Sequence, residues 1–390
     1  VFESSAHGYD TADYFHVDRR LGDNHLLAQF VEELHARNIR VILDGVFYHV
    51  GRNFWAFREL QEMTSGAPHK HWFHNIRFDQ RSPYGDPFSY EGWAGCLDLV
   101  RLNLDHPEVR EHLLAAVGQW ISEFGIDGLR LDVAESLAPV FLRELAAFTR
   151  SKHPDFWLMG EAVNGDYRRI ANPEMLDSAT NYESDKALWS SLNDRNYFEI
   201  AYALNRQFGP NGLYRNVSLY NFADNHDVDR VASSLRDPRL LYPLYMLLFT
   251  MPGVPSIYYG SEWGLAGRKK DGDSALRPHF PDANGAAPDL APAIARMAKL
   301  RHDSLALRHG SYRELLVQPE TFAFAREHGN ETVVVSLNAS AEVRTIELKL
   351  PARDGVLVDS LNGNERFPLL AGKACIPVPP SWGRVLRLEN

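Results

Sequence analysis

The sequence predicts an α/β fold: a (β/α)8 barrel of the TIM type lacking its first one to two units in this chain, with an inserted subdomain and a C-terminal antiparallel β domain. Three observations carry this. Short apolar strands alternate with amphipathic helices over the first 300 residues, which is the order that builds a helix-covered parallel sheet. Residues 52–104, rich in Trp, Tyr, Phe, Gly and Pro, break that alternation without helical period. From about residue 305 the helices stop and alternating strands take over. The expected domains are therefore 1–304, with the insertion at about 52–104, and a β-sandwich over 305–390.

The elements follow in order. "NHLLAQFVEELHARN" places Leu27, Phe30, Val31 and Leu34 on one helical face. "IRVILDG" is a β-branched run that ends at Asp44. The insertion comes next, too long for a simple loop. "HPEVREHLLAAVGQWISEFG" is a helix with Pro107 in its first turn, a stripe of Val109, Leu113, Val117, Trp120 and Ile121, and Gly125 to stop it. "IDGLRLD" and "FWLMGE" are strands, and "SLYNFADNHD" and "VPSIYYGSE" repeat the pattern. Continuous apolar strands are buried on both faces, as in a parallel sheet. "LLYPLYMLLFTMPGVPSIYYG" reads as a buried helix running into a buried strand. "TFAFAREHGNETVVVSLN" is two strands joined by a tight turn at Gly329-Asn330, and "TIELKL", "GVLVDS" and "RVLRLEN" are further strands.

Bulk composition narrows the partners. The net charge is −10, and 41 basic residues are spread along the chain without a basic block. That disfavours nucleic acid. No apolar run reaches the roughly 18 residues needed to span a bilayer. The two cysteines, Cys96 and Cys375, lie far apart, so free thiols and a cytoplasmic setting are expected. Eight Trp suit an apolar core and equally suit sugar-stacking surfaces.

The ends of the strands carry the chemistry. The first ends at Asp44, with His49 just beyond; the second carries Arg130 and Asp132; the third ends at Glu161; the fourth runs into Asp224–Asp227. In a TIM-type barrel such ends converge on the active face. A rim of Asp, Arg, Asp, Glu, His and Asp is a costly charge cluster for structure alone. Paired carboxylates with a helper cation point to glycoside hydrolysis, in which one attacks the anomeric carbon and the other protonates the leaving oxygen. Arg130 and Asp132, two apart on a strand, point to the same side. An adjacent guanidinium lowers a carboxylate's pKa and orients it.

"VILDGVFYHV", "GLRLDVAES", "MGEAV" and "NFADNHD" together resemble four short stretches of the α-amylase family of retaining glycoside hydrolases, in that family's order and spacing. The resemblance covers nearly the whole chain. It implies Asp132 as nucleophile, Glu161 as general acid/base and Asp227 as transition-state stabiliser. Arg130 would position the nucleophile, and His226 and His49 would hydrogen-bond hydroxyls of the sugar at the cleaved bond. "AHGYDTADY" is similar to a further family segment, which implies Tyr9 stacking on that sugar with His7 nearby. Asp44 joins the substrate-binding set from its strand end. In "DGDSALRP", Asp273 and Arg277 are spaced i, i+4 and would meet on a helix. The family often holds sugar with such a pair, although a surface salt bridge reads as well. Trp93, in "EGWAGCLDLVRLN", would line the acceptor side or pack in the core.

Departures refine the expectation. Tyr48 replaces an Asn that binds calcium in many α-amylases, and tyrosine is a poor calcium ligand. No calcium is therefore expected at that position, and the expected site set names no metal or cofactor. Glu135 and Ser136 stand where many amylases carry Lys and His that contact acceptor sugars. "GEAVNGDY" lacks the Trp common in enzymes that open cyclodextrins, and Val100 replaces a frequent Pro. Counting from "IRVILDG" gives six of the eight barrel strands, so a missing N-terminal segment or a second polypeptide is expected to complete the barrel. The predicted activity is retaining hydrolysis of α-1,4-glucans such as maltodextrins or cyclodextrins, with acid and nucleophile carboxyls about 5–5.5 Å apart. The alternatives are an α-glucan transglycosylase, in which a sugar hydroxyl replaces water, and a non-catalytic glycan-binding relative. Product analysis separates the first, and loss of one of the three carboxylates would mark the second.

Overall fold

Strands marked in the sequence by apolar runs line up in parallel in the first of two compact units, Val1–Ala179, of the computed structural model. The structure describes residues 1–5, 7–279, 285, 287, 289–351 and 354–389. Helix α1 spans Asn24–His35 and starts at Asp23, whose side chain accepts the Leu26 N–H. Of its expected apolar stripe only Val31 is buried, and Phe30 is 55% exposed. Nothing among the described residues of this unit covers that part of the helix. Strand β1 (Ile42–Gly45) leads into the insertion: β2 (His49–Gly51), α2 (Trp55–Met63), β3 (Gly92–Trp93) and β4 (Cys96–Arg101). The three strands pair in the order β2-β4-β3. Helix α2 corrects the expectation of an insertion without helical period. It buries Ala56, Phe57 and Leu60, but the exposed Trp55 and Met63 blur its pattern.

Helix α3 (Pro107–Gln119) opens on Pro107 as expected. It continues as a π-helical turn over Trp120–Phe124 and stops at Gly125, which takes a left-handed φ of 71°. Then come β5 (Gly128–Leu131), α4 (Pro139–Lys152), β6 (Trp157–Gly160) and β7 (Ser178–Ala179). The parallel sheet runs β1-β5-β6-β7. Its register sets Asp44 beside Arg130, and Arg130 beside Met159. The carboxyl ends of β1, β5 and β6 therefore emerge side by side.

The second unit is Thr180–Asn390. It begins with α5 (Tyr182–Asn193), α6 (Phe198–Phe208), β8 (Tyr220–Asn221), α7 (Val231–Ser234), α8 (Leu241–Thr250), β9 (Val254–Pro255), α9 (Asp273–Leu276), α10 (Leu290–Asp303) and α11 (Leu305–His309). Strands β8 and β9 pair in parallel. Both are far shorter than "SLYNFADNHD" and "VPSIYYGSE" suggest. After Asn221 the chain soon turns, and Asn225 Oδ1 accepts the N–H groups of Asp227 and Val228. Such Asx turns replace ladder pairing with local bonds. Every residue of helix α8 except Tyr242 is buried, in line with its unbroken apolar run.

Among the described residues that follow are eight strands: β10 (Ser311–Val317), β11 (Thr321–His328), β12 (Glu331–Asn338), β13 (Arg344–Lys349), β14 (Gly355–Asp359), β15 (Arg366–Leu369), β16 (Lys373–Val378) and β17 (Trp382–Glu389). Six form one antiparallel sheet, β10-β11-β12-β17-β14-β15, and β13 pairs β16. Val334, Leu357 and Leu386 of the large sheet share a core with Ile346, Leu348, Ile376 and Val378 of the small one. The tight turn at Gly329-Asn330 is present, with Gly329 at φ 56°. Among the described residues no helix is long and apolar enough to cross a membrane.

Candidate active site

One guanidinium organises the first unit's cluster. Arg130 is on β5, with its side chain directed along the carboxyl ends of the neighbouring strands. Its Nη1 lies 2.8 Å from Asp132 Oδ1 and 3.2 Å from Asp44 Oδ1, and its Nη2 lies 2.9 Å from Glu161 Oε1. The side chains of Asp132, Glu161 and Arg130 are 9, 11 and 12% exposed, whereas that of Asp44 is 39% exposed. Three carboxylates thus share one positive charge. The sequence reading expects Arg130 to hold Asp132 ionised. Burial instead pushes the Asp132 carboxyl up to about 7, against the pull of Arg130 and with Glu161 and Asp44 adding to the rise. With all three acids ionised the cluster would carry a net −2, so one retained proton relieves both desolvation and mutual repulsion. Arg130 itself is pulled down by burial, but the three carboxylates more than offset this and keep it charged.

Glu161 is held at each end. Its N–H donates to the Leu131 carbonyl at 2.8 Å, and its carbonyl accepts the Ala134 N–H at 2.9 Å. Its Oε2 accepts the Val133 N–H at 3.1 Å. The turn that aims these donors has Val133 at φ 49°, ψ 39°. A β-branched residue in the left-handed region is an outlier whose strain is about 1–3 kcal/mol. Strain of this kind gathers where the surrounding structure over-determines a functional geometry.

Tyr9 borders the cluster. Its hydroxyl donates to Asp44 Oδ2 at 3.3 Å, and the Arg130 guanidinium lies 5.9 Å from its ring centre. The Tyr9 N–H donates to His7 Nδ1 at 3.2 Å, which leaves His7 partly exposed beside it. His49 sits behind, with Nε2 3.0 Å from the Tyr9 carbonyl. That bond places the proton on Nε2. Burial lowers His49 to about 4, so the ring is neutral, and its buried Nδ1 has no partner among the described residues. Trp93 is 39% exposed, so it is not core, and its ring lies 6.2 Å from that of His49. Tyr48 has the Arg101 guanidinium 5.1 Å from its ring centre.

The remaining predicted residues lie in the second unit. His226 Nε2 is 3.1 Å from Asp227 Oδ2, and the Asx turn at Asn225 fixes the Asp227 backbone. Asn225 is itself tied to the Tyr182 hydroxyl at 2.9 Å. Asp227 lines a cavity of about 730 Å³ together with Trp189 and Asp185. Asp273 and Arg277 depart from the expected side-chain pair. Helix α9 stops after Leu276, Arg277 has left helical conformation (φ −124°, ψ 53°), and the two meet through the Arg277 N–H and the Asp273 carbonyl at 2.9 Å. Sequence reasoning also missed Arg230, fully buried and donating to the Tyr259 and Leu276 carbonyls and to Ser261. No period or motif in the sequence around it, three residues after Asp227, singles it out.

The family model "Alpha amylase, catalytic domain" matches residues 1–289. A cyclomaltodextrinase of Geobacillus thermopakistaniensis is 33% identical over 391 residues, which cover 98% of this chain and 65% of that protein. Neopullulanase 2 of Thermoactinomyces vulgaris is 32% identical, over 94% of this chain and 63% of its own length. The chain therefore spans just under two thirds of these relatives. Among solved structures, a debranching enzyme from Nostoc punctiforme superposes with a TM-score of 0.83 at 30% identity, covering 99% of this chain and 84% of that one. The architecture is thus a (β/α)8-barrel fold with a C-terminal antiparallel sheet domain.

Proposed function

Since this chain belongs to the α-amylase family, we propose that it cleaves α-1,4-glucosidic bonds in maltodextrins, cyclodextrins or related α-glucans by double displacement with retention. The observation that carries this reading is the pair of buried carboxylates, Asp132 and Glu161, set on the two terminal nitrogens of Arg130. Glu161 protonates the glycosidic oxygen as Asp132 attacks the anomeric carbon. The C–O bond to the leaving sugar breaks and a glycosyl ester of Asp132 forms. Glu161 then deprotonates water, which attacks the same carbon and frees Asp132. Arg130 balances charge as it shifts between the two carboxyls. Asp227 is assigned the stabilising role, with His226 as its companion. Tyr9 offers an aromatic face to the sugar and His49 supports it from behind, while His7, Asp44 and Trp93 belong to the surrounding binding surface, and Asp273 and Arg277 remain candidates for more distant sugar contacts.

Relatives named cyclomaltodextrinase and neopullulanase make cyclodextrin and pullulan the first substrates to compare with maltohexaose. Glu161→Gln and Asp132→Asn should each lower kcat by about 10³-fold or more with the fold retained. A Glu161→Gln protein that turns over natural substrate at the unaltered rate refutes the assignment. Proton NMR of the first-released anomer tests retention, and products longer than the substrate at high concentration would mark a transglycosylase. The exposed Ile42 of β1 and Ile39 just before it, with Leu26 and Phe30 on α1, support a further β/α segment covering this edge, from a longer chain or a second polypeptide. The two unpaired cysteines support a cytoplasmic setting.

A further inference from the structure

Glu135 reaches across to the segment that follows Glu161. Its Oε2 accepts the Val163 N–H at 2.7 Å and the Asn164 N–H at 3.3 Å. These amides lie two and three residues beyond Glu161. In the opposite direction, the Val133 and Ala134 N–H groups donate to the side-chain and backbone oxygens of Glu161. Residues 133–135 and 161–164 therefore clasp one another by four hydrogen bonds, two running each way. Strand β6 ends at Gly160, and its ladder to β5 continues only as the bond from the Glu161 N–H to Leu131, so the amides of residues 163 and 164 turn to Glu135. Val133, at φ 49°, is the strained member of the clasp.

We propose that Glu135 is a positioning residue for Glu161: its carboxylate anchors the segment after Glu161 and thereby keeps the strained Val133 turn aimed at the Glu161 carboxyl. The proposal rests on the reading of Glu161 as the acid/base. The physical reason is a competition. Val133 gains by relaxing toward an ordinary negative φ, and doing so swings its N–H away from Glu161. The two bonds to Glu135 tie residues 163–164 to the residue that follows that turn, so relaxation would have to break them. Both acceptor bonds are to a charged oxygen, the stronger kind. Without the anchor, the Glu161 carboxyl samples positions off the line to the leaving oxygen, and misplacement on the ångström scale is enough to slow reaction by up to about 100-fold.

The test compares Glu135→Ala with Glu135→Gln in the whole protein. Glutamine keeps an oxygen that can accept the same two N–H groups. Two readouts are taken: kcat, KM and the pH profile on maltohexaose, and amide hydrogen exchange of the segment 161–166. Alanine should lower kcat about tenfold or more, leave KM within about twofold, move the limb of the pH profile that reports the acid, and speed exchange at residues 163 and 164. Glutamine should restore most of kcat and the slow exchange. Wild-type kcat, pH profile and exchange in the alanine variant overturn the proposal, as does a glutamine variant as slow as alanine. If the wild-type protein turns over no α-glucan, the proposed function fails by itself. Exchange then decides the clasp: faster in alanine but not in glutamine supports it, and no change overturns it.

Discussion

As the proposed nucleophile, Asp132 must be ionised to attack, yet it is placed where burial favours its neutral form. Its raised value, about 7, means that kcat/KM should climb through neutral pH as Asp132 loses its proton. Asp44 is one of the charges that raise it. Asp44→Asn should therefore move the acid limb of the pH–rate profile to lower pH at constant ionic strength, and an unmoved limb would show that Asp44 is not felt. Asp185 on α5 makes the complementary case for stability. It is buried, its Oδ1 lacks a partner among the described residues, and burial followed by the neighbouring Asp224 pushes it up to about 7. Its unfolded value is near 3.9. Between these values the native state binds more protons than the unfolded state, so stability falls as pH rises. Asp185→Asn should flatten that fall: the melting temperature of the wild type should drop more between pH 5 and pH 8 than that of the variant. At this scale Asp132 and Arg130 were readable because a strand places residues two apart on one side. That Glu161 and Asp44 share the same guanidinium was not readable, because it depends on the register of β1 and β6 against β5.

Elements end where their last carbonyls find partners, and α8 does so by an unusual route. Arg301 of α10 donates to the carbonyls of Phe249 and Met251, and also to that of Gly253. Arg326 of β11 donates to Thr250, Gly310 and Ser311. Two buried arginines thus stand at a helix C-terminus, where the backbone dipole is negative. Burial lowers Arg301 to about 10 and Arg326 to about 9. Replacing Arg326 with Leu leaves three carbonyls without that donor. It should cost on the order of 3 kcal/mol, visible as a lower melting temperature, and an unchanged midpoint would show that other groups satisfy them. The long, strongly patterned elements α3, α8 and the hairpin β11–β12 were legible from the sequence. Helix α2 was not, because apolar residues on its exposed side hid the period. The side-chain pair expected between Asp273 and Arg277 is replaced by a backbone bond for a local reason, since Arg277 has already left helical conformation.

For the molecule as a whole, the parallel sheet of the first unit has β1 at its edge, paired only with β5 among the described residues. Ile42 is 39% and Phe30 55% exposed beside it. Exposed strand edges flanked by apolar surface invite pairing with further chain. Intact mass spectrometry of the purified active protein should therefore show either a chain heavier than these 390 residues or a second polypeptide. A fully active sample containing only the 390-residue species would show that the edge needs no cover.

The sequence by itself determined the alternation of strands and helices, the β tail and the identity of the acidic strand ends, because these follow from residue type, period and spacing along the chain. It also determined the family, through four short stretches in order. Only the tertiary structure decided how charge is shared at Arg130, why Asp132 is driven toward its protonated form, that His49 faces the Tyr9 carbonyl, and that Glu135 fastens the chain beyond Glu161. Each of these depends on which strands lie side by side and on how much water burial removes, and neither is written in local sequence pattern.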